Sequence, residues 1–163
     1  MDSGSFIISL DYELMWGVRD KRTIANYGDA ILNVHQVLPQ MLKAMENYDV
    51  KATIATVAFL FHEKKEDLLR ELPIKKPSYE ETNLSPYTDI KSYLGADNTN
   101  DPYYFGNSIL QQIKEHKYHE LATHTYCHYY CLEPGQTIDE FEDDIQTAVK
   151  VAHTHTVELK SIV

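Results

Sequence analysis

Four side chains in this sequence have the types and spacing for metal chemistry: Asp11 and Glu13, two residues apart, and His124 and His128, four apart. Imidazole nitrogens and carboxylate oxygens are the donors that hold zinc and related transition metals. Side chains two apart on an extended strand point to one side, so Asp11 and Glu13 are expected to share a pocket. Histidines four apart meet across a helical turn, so His124 and His128 can bind a single ion. Two histidines and one carboxylate leave a position open for water, the donor set of catalytic zinc sites. The chemistry expected of such a set is hydrolysis assisted by a metal ion.

The residues around them have blander readings. Trp16, close behind the acids, can stack on a sugar ring or serve as a buried structural aromatic. Cys127 and Cys131 lie on the same stretch as the histidines and are expected to pack rather than to ligate. His119 and His124 are five apart, which breaks the spacing of a zincin helix. His116, His153 and His155 lack an acidic partner and are expected at the surface. Glu140, Glu142, Asp143 and Asp144 read as the solvated start of a helix, favoured there by the helix dipole.

Strands and helices must bring the two clusters together, and they alternate along the chain. Residues 6–10 form a short apolar run that predicts a buried parallel strand ending at Asp11. Ala30, Ile31, Val34, Val37, Leu38, Met41, Leu42 and Met45 recur at helical spacing, with Pro39 expected to kink or split that helix near Val37. Residues 52–57 predict a second strand, 63–72 a short helix, and 120–123 a third strand placed directly before His124. Between them, residues 73–104 carry several prolines and tyrosines with little periodicity. They predict a long loop insertion, with its tyrosines either anchored in the core or free to stack on a glycan. Thr137 and Glu140 form a capping box for a last helix whose buried face is expected at Phe141, Ile145, Ala148, Val149 and Ala152. Residues 157–163 begin another apolar strand. Such alternation, without hairpin signals, predicts a parallel α/β sheet or barrel, in which functional side chains gather past the carboxyl ends of the strands.

Composition sets the outer bounds. A chain of 163 residues, 43% hydrophobic, suits one domain with an ordinary core. Its formal net charge of −10 argues against nucleic acid as a partner, since phosphate backbones are gripped by basic surfaces. The N-terminus lacks the pattern of a secretory signal, and no stretch has the length of apolar residues a membrane span needs, so a cytoplasmic location is expected.

Three segments together resemble one family. Ser9-Leu10-Asp11-Tyr12-Glu13, Lys51-Ala52-Thr53-Ile54-Ala55-Thr56-Val57 and Glu120-Leu121-Ala122-Thr123-His124-Thr125-Tyr126-Cys127-His128 are similar, in order and over nearly the whole chain, to the opening motifs of the polysaccharide deacetylases, the NodB-homology carbohydrate esterases. The histidine segment is the specific part, since it matches the family's His-Ser/Thr-x-x-His. The resemblance implies a distorted (β/α) barrel that removes acetyl groups from an N-acetylated glycan or a cell-envelope precursor with a divalent metal, zinc first among the candidates. It implies Asp11 as the catalytic base and His124 and His128 as metal ligands. The family places adjacent aspartates after its first strand; here Tyr12 takes the second position, and Glu13 is expected to replace that ligand.

The family's later motifs, an arginine that orients the base, a substrate-pocket aromatic and a Leu-x-x-His general acid, have no counterpart. The expectation is a domain over residues 1–163 that is incomplete at its C-terminus, with a barrel that does not close. Weak metal binding, little turnover and self-association through the open edge are expected to follow. Two other classes fit the same residues: another metal-dependent amidase or phosphoesterase on an α/β barrel, and an inactive remnant that binds glycan or a partner protein.

Overall fold

The computed structural model describes residues 4–116 and 118–163. Three short strands, β1 (Ser9–Tyr12), β2 (Thr53–Thr56) and β3 (Glu120–Thr123), form an all-parallel sheet in the order β1-β2-β3. Five α-helices accompany them among the described residues: α1 (Ile24–Asn47), α2 (Lys65–Arg70), α3 (Ile90–Tyr93), α4 (Asn107–Glu115) and α5 (Ile138–Thr154). Among the described residues the fold is mixed α/β around a small open sheet, and no helix is long and apolar enough to cross a membrane.

The second and third strands fall where the sequence predicts them. β1 does not: pairing in register with β2 runs from Ser9 opposite Thr53 to Tyr12 opposite Thr56, so Asp11 lies inside the strand rather than after it. Phe6 and Ile7, expected in the core, stay 90% and 78% exposed, because they precede the stretch that β2 can pair. Apolar character alone fixed the predicted strand too early.

α1 is a single helix through Pro39. The proline forfeits an amide and costs about 3 kcal/mol. Ile31, Leu38 and Leu42 are buried along the same helix, and each such burial contributes about 1.5–3 kcal/mol, which outweighs the loss. The N-terminus of α1 is fastened where the Thr23 amide donates to Asn26 Oδ1 at 3.0 Å. α2 is shorter than expected, six residues in place of the ten spanned by the sequence pattern.

The segment 73–104 is folded into the core. Tyr79, Ile90, Leu94 and Tyr104 are buried, so its aromatics serve as anchors. Three bonds tie the neighbourhood of β1 to the end of this segment: Tyr12 Oη donates to the Gly106 carbonyl (3.0 Å), Trp16 Nε1 to the Tyr104 carbonyl (2.9 Å) and the Met15 amide to the Tyr103 carbonyl (3.0 Å). Gly106 permits the first, because a Cβ there would collide with the Tyr12 hydroxyl. Beyond α5, the Thr123 amide donates to Ser161 and the Val163 amide to Thr123, so the chain pairs with β3 in parallel at Ile162 without extending into a full strand.

Candidate metal centre

The parallel ladder continues one residue past the strands. The Val57 amide donates to the Tyr12 carbonyl at 3.1 Å and the His124 amide to the Thr56 carbonyl at 2.9 Å. Asp11, Ala55 and Ala122 lie in one row across the sheet. With alternation of period two, Glu13 and His124 fall two residues farther along on the same face. Their strands flank β2 and so stand about 10 Å apart, a gap that glutamate and histidine side chains can close from both sides.

His128 reaches the same place by a loop, and here the expectation of a helical turn fails. Thr125 and His128 have φ of 65° and 60°, in the left-handed region, so the chain between the histidines doubles back rather than winding on. A β-branched residue such as Thr125 adopts that region only when its surroundings enforce it. They do: the Ala58 and Phe59 amides donate to the carbonyls of Thr125 and Tyr126, each at 3.0 Å, and the Tyr129 amide donates to Thr125 Oγ1 at 2.7 Å.

The result is one convergent set. Ligand atoms of Glu13, His124 and His128 all lie within 4.8 Å of one another, and all three residues are partly buried. Glu13 Oε2 is 3.1 Å from His128 Nε2 and 3.6 Å from His124 Nε2. Donors bound tetrahedrally at about 2.0–2.1 Å are separated by about 3.3 Å, so the spacing fits a zinc-like ion with little adjustment. His124 Nδ1 donates to the Val163 main-chain oxygen at 2.6 Å, which turns Nε2 towards Glu13. His128 Nδ1 is buried and has no hydrogen-bond partner among the described residues.

Glu13 is held by its own turn. It leaves the extended conformation at ψ −18°, and the short 3-10 helix Leu14–Gly17 that follows brings Gly17 against its carboxylate. A Cβ at Gly17 would occupy the space of the Glu13 carboxylate, so only glycine leaves that carboxylate where it stands.

The other candidates separate cleanly. Asp11 is exposed, its carboxylate makes no hydrogen bond among the described residues, and it does not join the convergent set, although it stands on the same face. Trp16 is 2% exposed and packs against Phe59 and Tyr104, with ring centroids at 4.4 and 4.8 Å, so it has no free face for a sugar. Cys127 is buried outside the set, as expected of a packing residue, and burial pushes its thiol well above the usual range.

Near the histidines, Tyr130 and His62 carry no signal in the sequence pattern, and Asp144 departs from its expected solvated place. Tyr130 packs its ring edge-on to His128 at 5.0 Å; burial first, then the charge of Asp20, pushes its hydroxyl up to about 12. His62 is 5% exposed, with Nε2 3.1 Å from the Tyr126 hydroxyl, and burial brings its pKa down to about 4. Asp144 is wholly buried rather than solvated, and its Oδ1 accepts from the Tyr126 amide at 2.6 Å. Burial raises its pKa to about 6. The signal for Asp144 was in the spacing. The buried positions of α5 are Asp144, Thr147, Ala148, Val151 and Ala152, a helical stripe in which an aspartate holds an apolar place, while Val149 is 47% exposed.

No family model, no curated protein and no solved structure matches this chain.

Proposed function

We propose that the chain binds a divalent metal ion, zinc by preference, through Glu13, His124 and His128, and is the metal-holding part of a hydrolase that removes an acetyl group from an N-acetylated sugar. The observation that carries this reading is the convergence of the three ligand atoms past the carboxyl ends of β1 and β3. That is where parallel α/β folds place their chemistry. The order of motifs and the His-Thr-x-x-His segment point to the polysaccharide deacetylases, and a sheet of this kind would form part of their distorted barrel.

A metal ion in this set supplies polarisation of a carbonyl and acidification of water. Glu13 contributes the negative ligand, fixed by Gly17, and His124 presents Nε2 because its Nδ1 proton is committed to Val163. Asp11 is the residue for taking a proton from water. It stands on the sheet face of the ligands, beside the small Ala55 and Ala122, and its carboxylate is uncommitted to any described group.

Titration of the metal-free chain with Zn2+ or Co2+, followed by release of acetate from chitin oligosaccharides, tests both parts. Stoichiometric binding that is lost in His124→Ala is expected. Absence of binding overturns the metal centre. Hydrolysis of a phosphate ester or of an amide other than an N-acetyl group by the metal-loaded chain overturns the assignment of the reaction.

A further inference from the structure

α5 carries a buried acid at a position that its own periodicity reserves for an apolar side chain. Asp144 is 0% exposed, and the next members of the same stripe are Thr147, Ala148, Val151 and Ala152. Where a local preference is broken this sharply, the residue serves something other than packing. Its contacts say what. Oδ1 accepts from the Tyr126 amide at 2.6 Å, and the same carboxylate lies beside the amide and thiol of the next residue, Cys127.

Tyr126 is the midpoint of the loop from His124 to His128, and each of its polar atoms is used. The carbonyl accepts from the Phe59 amide at 3.0 Å, the hydroxyl meets His62 Nε2 at 3.1 Å, and the amide has Asp144. The first two contacts come from the segment after β2; the third comes from α5 alone. α5 is itself pinned at its start, where the Thr137 amide donates to Glu140 Oε2 at 2.9 Å and the Glu140 amide to Thr137 Oγ1 at 3.4 Å.

We propose that Asp144 is a positioning residue for the metal centre: through the Tyr126 amide it holds the doubled-back loop in the form that turns His124 and His128 towards Glu13. This rests on the metal reading above. Outer groups that orient ligands typically govern about 10- to 100-fold in metal affinity.

The experiment is Co2+ titration of the metal-free chain, read by the visible bands of tetrahedral Co2+, with thermal unfolding in chelator as the measure of stability. Asp144→Asn keeps an oxygen for the Tyr126 amide and is expected to bind Co2+ nearly as the unaltered chain does. Asp144→Ala is expected to lose about 10-fold or more in affinity, with weaker tetrahedral bands. Thr147→Ala, one turn along the same buried stripe, is expected to lower the unfolding temperature with Co2+ affinity unchanged. Tight Co2+ binding by Asp144→Ala overturns the proposal, and so does a loss in Thr147→Ala that tracks stability in the same way. If the unaltered chain itself fails to bind Co2+, the metal reading falls and this one with it. Hydrogen exchange at the Tyr126 amide of the unaltered chain reads the contact without any substitution: protection is expected, and exchange at the rate of an exposed amide overturns the proposal.

Discussion

Gly17 lies against the carboxylate of Glu13 so closely that any side chain on Gly17 would take the carboxylate's place. The obstacle would meet the far end of a flexible side chain, so the cheapest relief is for Glu13 to swing away from His124 and His128. Gly17→Ala is therefore expected to shift stability by less than about 1 kcal/mol, a typical surface-level change, while weakening Zn2+ binding about 10-fold or more. Calorimetric titration beside thermal unfolding of the metal-free protein separates the two effects.

Metal binding should also appear as stability. A ligand that binds only the folded state adds about 2.7 kcal/mol at 100 times its dissociation constant. Zn2+ is expected to raise the unfolding temperature, chelator to reverse the rise, and Glu13→Gln or His128→Ala to abolish it.

Two buried groups should oppose each other in acid. His62 has its pKa depressed to about 4 in the folded state, so its share of stability is complete above its unfolded value near 6.5 and declines as pH falls towards 4. Asp144 has its pKa raised to about 6, so its share is complete below its unfolded value near 3.8 and declines as pH rises through 6. Each shift is worth about 3 kcal/mol, and across pH 4–6 the slopes have opposite sign. Asp144→Asn is expected to leave the His62 slope uncovered, so that denaturant stability falls more steeply from pH 6.5 to 4 than in the parent chain. An unchanged slope would refute the pairing.

Trp16 should behave as a core residue. Trp16→Phe leaves the Tyr104 carbonyl without its donor in a buried setting and is expected to cost about 1–3 kcal/mol in denaturant unfolding. Adding chitin oligosaccharides should leave the fluorescence of this single tryptophan unchanged, since no ring face reaches solvent.

What the sequence made legible was whatever depends on local pattern. β3 and the capping box of α5 follow from spacing and residue type, whereas Glu13 was set beside the two histidines by the resemblance to the deacetylase motifs. What it hid depends on partners distant in the chain. β1 is placed by its register with β2, so Phe6 and Ile7 misled. The histidine loop is bent by the Ala58 and Phe59 amides, which no pattern within residues 124–128 reveals. Asp144 hid inside an acidic run whose other members, with no buried loop amide to serve, sit nearer solvent.

The bond from the Tyr12 hydroxyl to the Gly106 carbonyl joins residues 94 apart in the chain. It locks the strand that leads into Glu13 against a segment made far later, and the histidines come later still. Contacts between such distant residues are slow to form, because the intervening chain must first be gathered in. The ligand set is therefore expected among the last parts of the molecule to assemble, and a Co2+ spectrum that appears in the earliest phase of refolding would refute this.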